Sequence, residues 1–227
     1  MLSFIRASIA VGLMLLPAAA SAAGEREAAP ILFESRQLDL IGKGEEVTYH
    51  FERKGSDERL LGKNYADDIR LGVSKVNGNG ERDIVFKVFS GDQARDPQNW
   101  SELTINPLFI WYLDRAVATF NSLAGGNQMY LKHKIREALG KATAEEITID
   151  YDGRTVNAYK VIVAPFADDR SAAKMQGFHK ASFTIIVSDQ VPGYFAELLA
   201  DFVSTNAAGP ELREKVKVVG MAGAKSQ

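Results

Sequence analysis

Three histidines, His50, His133 and His179, are the obvious candidates for acid–base or metal chemistry in this chain. No two stand at i, i+4 and no H-E-x-x-H is present, so the sequence encodes no zinc-protease helix. His50 falls on the polar side of an alternating strand and His133 on the polar side of a helix. His179 follows Gly177-Phe178 and receives no role. There is no cysteine, which excludes thiolate nucleophiles, disulfides, cysteine-ligated zinc and a lipidated cysteine. A G-x-S-x-G elbow and a G-x-x-x-x-G-K-[ST] phosphate loop are both absent. Gly78 and Gly80, with Asn77 and Asn79, read as a hairpin turn, since no helix follows them as a dinucleotide fingerprint requires. Asp150, Asp152 and Gly153 lack the remaining ligands of a calcium loop. The pairs Asp67-Asp68 and Asp168-Asp169 are expected in loops as solvated charge. The sequence therefore assigns no catalytic residue, no metal and no cofactor.

What stands out instead is apolar. In Asn106–Leu123, NPLFIWYLDRAVATFNSL, Asn106 can cap a helix and Pro107 suits its first position. Phe109, Leu113, Val117 and Phe120 recur at helical spacing, while Leu108, Ile110, Trp111 and Tyr112 cover the other sides. A helix so apolar all round has to be enclosed. Gly125-Gly126 ends it. Such a helix against a curved sheet can leave a hydrophobic space. Candidate ligand-binding residues are Phe109, Trp111, Tyr112 and Phe120 on the helix, facing Phe86, Val88, Phe183 and Ile185 on the sheet. The alternative is that these groups pack together as a closed core.

The elements that would hold this helix are mostly strands. Val47, Tyr49 and Phe51 alternate with polar residues up to Arg53. Gly55–Asp68 is expected as a charged connection. Ile69, Leu71 and Val73 alternate again, and Asn77–Gly80 turns the chain into a strand over Asp83–Phe89 that is apolar on both faces. Gly91–Ser101 reads as a polar loop. After the apolar helix, Asn127 can cap an amphipathic helix over Gln128–Leu139, stopped by Gly140. Asp152-Gly153 is the strongest hairpin signal, and a type I′ turn there pairs Tyr151 with Arg154, Ile149 with Val156 and Ile147 with Ala158. That return strand runs to Val163. Ala167–Gly177 reads as a loop with room for one helical turn. Ala181–Val187 alternates as a strand. Tyr194–Val203 fits either helix or buried strand, with helix favoured by composition and by Tyr194, Leu198 and Phe202 at i, i+4. Lys215–Val219 is a short last strand. Leu32–Ile41 alternates poorly as a possible first strand. The expected fold is α+β: a curved antiparallel sheet of about eight strands, a half-barrel, wrapped around the apolar helix, with a second amphipathic helix.

The chain has 227 residues and is 46% hydrophobic and 25% charged, an ordinary globular composition. Its formal net charge of −2 gives no basic surplus for nucleic acid. Arg6, the apolar run Ile9–Leu16 and Ala20-Ser21-Ala22 form an export-signal pattern with cleavage expected after Ala22. Nothing downstream is apolar for long enough to span a membrane. The expected organisation is a signal peptide over 1–22, a linker over 23–30, a single α+β domain over 31–222 and a frayed tail over 223–227. A cysteine-free exported chain fits a bacterial periplasm.

The order of signal peptide, strands, central helical pair and second set of strands resembles that of some periplasmic lipid or lipoprotein carriers. It is similar, too, to exported bacterial proteins of unknown function with a carrier-like half-barrel. The stretches concerned are ITIDYDGRTVNAYKVIVAPF and FTIIVSDQVPGYFAELLADF. The resemblance covers most of the mature chain in layout and carries over no residue. Such carriers usually begin with a helix, and none is legible here ahead of Val47. The resemblance and the apolar helix together imply a non-enzymatic periplasmic binding or carrier protein for an acyl-chain or lipoprotein-like ligand. The competing readings are a cell-envelope interaction module with a closed core, whose partner is a protein, and a hydrolase with an unfamiliar site.

Overall fold

The Asp152-Gly153 turn shows how closely local chemistry sets this fold. In the computed structural model, which describes residues 25–223, both residues take left-handed backbone, φ 53° and 69°. The flanking strands pair in the expected register, Tyr151 with Arg154, Ile149 with Val156 and Ile147 with Ala158. A type I′ turn matches the twist of the strands it joins, so register follows from two residues.

In chain order the elements are β1 (Arg26–Glu27), α1 (Ala28–Phe33), β2 (Glu46–Gly55), α2 (Glu58–Leu61), β3 (Tyr65–Val76), β4 (Arg82–Val88) and β5 (Gln98–Leu103). Then come α3 (Leu108–Ala124), α4 (Gln128–Lys141), β6 (Thr143–Tyr151), β7 (Arg154–Val163), β8 (Ser182–Val187), β9 (Phe195–Val203) and β10 (Glu211–Ala222). The strands form one antiparallel ten-stranded sheet in the order β1-β6-β7-β8-β9-β10-β2-β3-β4-β5. The first meander, β2 to β5, walks out to one edge. The α3–α4 pair carries the chain to the far side, and β6 to β10 walk back until β10 pairs with β2. The architecture is thus α+β, a curved, unclosed sheet with helices against one face, with more strands than expected.

Helix α3 begins as its sequence dictates: the Asn106 side-chain oxygen accepts the Leu108 N–H at 3.0 Å, and Pro107 already has helical backbone. It ends where Gly125 turns to φ 71°. The Asn127 side chain accepts from the N–H groups of Met129 and Tyr130 to start α4. Gly140 does not stop that helix, which runs one residue further to Lys141. No helix among the described residues is long and apolar enough to cross a membrane.

Several expectations need correcting. The stretch Tyr194–Val203 is not helix: from Phe195 on it is strand β9, which lies between β8 and β10 and buries Leu198, Ala200 and Phe202. A spacing of four residues satisfies period 2 as well as a helical turn, so the side-chain stacking could not discriminate. Within Gly91–Ser101, expected as loop, β5 begins at Gln98 and pairs with β4. It is an edge strand whose Trp100 stacks on Phe86 and whose Leu103 is half-buried, while Gln98, Asn99, Ser101 and Glu102 are polar because water meets them. The stretch expected as linker holds β1, paired to Thr143 and Ala144, and the first half of α1, a helix that buries Ala28 and, just beyond that stretch, Leu32. Leu32–Ile41 is therefore no strand: it is the end of α1 followed by turns that bury Leu38 and Ile41. This places a helix ahead of Val47, where the sequence showed none. The charged 55–68 connection holds α2 and the start of β3. The expected signal peptide over 1–22 lies outside the described residues, as do residues 224–227 of the expected tail.

Candidate functional site

Helix α3 divides its surroundings into two sides. Towards the sheet the space is filled. Phe109 stacks on Phe195 with ring centroids 5.0 Å apart, Phe120 lies 4.4 Å from Phe166 and 6.5 Å from Phe202, and Phe183 meets Phe202 at 6.1 Å. Trp111 meets Phe51 edge-on at 6.0 Å. Tyr112, Phe86, Val88 and Ile185 are buried. The sequence-derived candidates are thus spread through a packed core.

A polar cluster ties the same side of α3 to the β10–β2 seam. Glu214 of β10, only 2% exposed, accepts from Arg53 of β2, from Arg115 of α3 at 2.7 Å and from the Thr119 hydroxyl at 3.1 Å. Arg115 also donates to the Tyr65 hydroxyl at 2.7 Å, and its guanidinium lies 4.5 Å from the centre of the Phe51 ring, with Phe89 and Trp111 beyond. Phe89 adopts φ 64° to reach this position. Two positive charges on one carboxylate, roofed by aromatic faces, make this an enclosed ion cluster. Beside it, burial and then the Glu214 charge push the Tyr112 hydroxyl well above its ordinary pKa. Among the described residues, the Tyr112 Oη and Arg115 Nε are buried without a hydrogen-bond partner.

The other side of α3 is open. A groove of about 640 Å³ lies between α1, α3 and α4. Leu32 and Phe33 of α1 form one wall, Phe109, Ile110, Leu113 and Val117 of α3 the second, and Ile135 and Leu139 of α4 the third. Ile110 is 54% exposed and Phe33 44%. This explains a helix that is apolar all round: one arc packs on the sheet and the opposite arc lines the groove. Of the eight residues singled out from the sequence, Phe109 alone lines it.

The polar groups in the groove wall are already partnered. Gln37 donates to the Leu32 carbonyl at 2.9 Å and accepts the Asn106 N–H at 2.8 Å. The Asn106 amide nitrogen donates to the Tyr49 hydroxyl at 2.8 Å and the Gly193 carbonyl at 2.7 Å. Gly193 has φ 75°, and a Cβ there would lie 1.9 Å from the Tyr49 hydroxyl, so glycine is required. Charge appears among the lining residues as Asp114, Lys132 and Arg136. Lys132 and Asp114 pair at 2.6 Å between the two helices.

The residues first considered for chemistry lie elsewhere. His50 is exposed and faces Asp68 across the β2–β3 pair at 3.1 Å, and His133 is exposed on α4. His179 sits in a short 3-10 turn. Asp67 and Asp68 belong to β3, not to a loop. Burial would raise the Asp67 carboxyl, but the Ser90 N–H and hydroxyl hold it below the ordinary range. Asp168 and Asp169 do lie in a connection. The Tyr130 hydroxyl donates to Asp169 at 2.5 Å, and Lys134 stands 3.5 Å away, pinning that connection to α4. Among the described residues no three potential ligands gather as a metal site.

The sequence matches no protein-family profile and no curated protein. Among solved structures, the chain is similar to the crystal structure of the Mycobacterium tuberculosis lipoprotein LppX, with 13% identity over 77% of this chain and 84% of that one and a TM-score of 0.32. That likeness is weak. It is too distant to carry a residue, a ligand or a role to this chain.

Proposed function

We propose that this is an exported, non-enzymatic binding or carrier protein, one domain after signal cleavage at Ala22, that holds an acyl chain in the groove between α1, α3 and α4. The periplasm is the proposed compartment. The observation that carries the reading is the apolar groove in which Ile110, Leu113 and Val117 of α3 face Ile135 and Leu139 across about 640 Å³. That volume falls within the range of small-molecule sites, typically about 300–1,000 Å³ with mostly apolar walls. Because the helix–sheet space is filled, the groove replaces it as the place for a ligand, and Phe109 is the residue common to both.

A fluorescent long-chain fatty acid, titrated into the purified mature protein, tests this. It should bind with blue-shifted emission and be displaced by unlabelled acyl compounds. Leu113→Trp, which fills the groove, should abolish the signal, whereas Phe86→Leu on the sheet side should leave it. Absence of binding in the wild-type protein, or equal loss in both variants, would overturn the reading.

A further inference from the structure

We propose that the groove takes a monoanionic amphiphile, and that Arg136 reads its head group. This rests on the groove being an acyl-chain site. The wall polar groups Gln37 and Asn106 have their hydrogen bonds satisfied within the protein, so the interior offers a ligand only apolar contact. A head group therefore has to sit among the charged lining residues. There, Asp114 and Lys132 neutralise each other at 2.6 Å. Arg136 lines the same groove, is exposed, and makes no hydrogen bond or ion pair among the described residues. It stands one helical turn after Lys132, so the two cations share a face of α4.

The sum of these charges is one unpaired positive charge beside an apolar trough. Its complement is an apolar chain carrying one negative oxyacid group, a carboxylate or a phosphodiester. A guanidinium presents a planar fork of donors that matches either group in a bidentate way. A cationic amphiphile would meet Arg136 without a free carboxylate to balance it, and a neutral one would leave the arginine unused.

Competition for a bound fluorescent acyl probe, using dodecanoate, lysophosphatidylglycerol, dodecanol and dodecylamine, separates these cases. At least one of the two anions should bind about five- to tenfold more tightly than dodecanol at low salt, with the advantage shrinking as salt is added. Preference for dodecanoate assigns the carboxylate, and preference for lysophosphatidylglycerol the phosphodiester. Arg136→Glu should erase the anion advantage while dodecanol binding stays unchanged, and Arg136→Lys should retain part of it. Equal binding of anions and dodecanol, or loss of both together in Arg136→Glu, would overturn the head-group assignment while leaving the acyl groove standing. Failure of every amphiphile to bind would remove the groove reading itself.

Discussion

The two sides of α3 use apolar residues for different ends. On the sheet side Phe120, Phe166 and Phe202 meet ring to ring, and Glu214 draws Arg53, Arg115 and Thr119 onto one carboxylate. On the groove side Ile110, Leu113 and Val117 face about 640 Å³ of unfilled space. Hydrophobicity alone therefore does not mark a site. What separates the two sides is whether opposing residues come close enough to exclude a ligand. The packed side gives α3 a fixed position, and a fixed position lets the open side keep its shape.

The sharpest way to break this comparison is to damage the packed side and look for an effect on stability. Phe120→Ala removes a fully buried ring at the centre of the aromatic contacts and should cost about 3–5 kcal/mol in urea denaturation. A cost below about 1 kcal/mol would show that this side is no better packed than the groove. Glu214→Gln comes next. It leaves two arginines around a neutral amide, and with Arg53 and Arg115 partly exposed the loss should be about 2–3 kcal/mol. Protein that remains folded in either variant should still bind the acyl probe.

The smallest effect is one of acidity, at the contact that holds the 164–181 connection to α4. The Tyr130 hydroxyl holds the Asp169 carboxyl below its ordinary value, aided by the Ser171 N–H and Lys134 and opposed by burial. The folded value is thus lower than the unfolded one. The stabilisation is fully present above the ordinary carboxylate pKa of about 4 and fades as pH falls from there through the folded value. Denaturation midpoints measured from pH 6 to pH 2 should show a shallower acid-side decline for Tyr130→Phe than for the wild type. Identical profiles would remove this contact from the acid response.

Much of this arrangement was legible in the sequence, because it depends on local chemistry. Asn106-Pro107, Gly125, Asn127 and Asp152-Gly153 fixed the limits of α3, the start of α4 and one hairpin register through backbone preferences alone. The groove was not legible, since its walls come from three helices and one of them, α1, has only six residues, all apolar, too short and too uniform a run to show a period. The ion cluster left a signal that could have been followed. Leu212, Glu214, Val216 and Val218 alternate onto one face, which places a carboxylate among buried residues and calls for a cation, and Arg115 lies between the apolar Tyr112 and Val117 of α3. Strand β9 failed for a simpler reason, in that its four-residue spacing is common to both periods.

The position of β10 between β9 and β2 has a consequence for how the molecule is made. Residues 211–222 join two meanders that, among the described residues, have no other strand pairing between them. Until that segment has left the ribosome, each meander presents a bare edge, and neither can find its neighbour. Joining the two meanders must wait for that segment and depends on contacts distant along the chain, and such contacts form slowly. Any factor that shields the waiting edge of β2 would protect the nascent protein from pairing with the wrong chain.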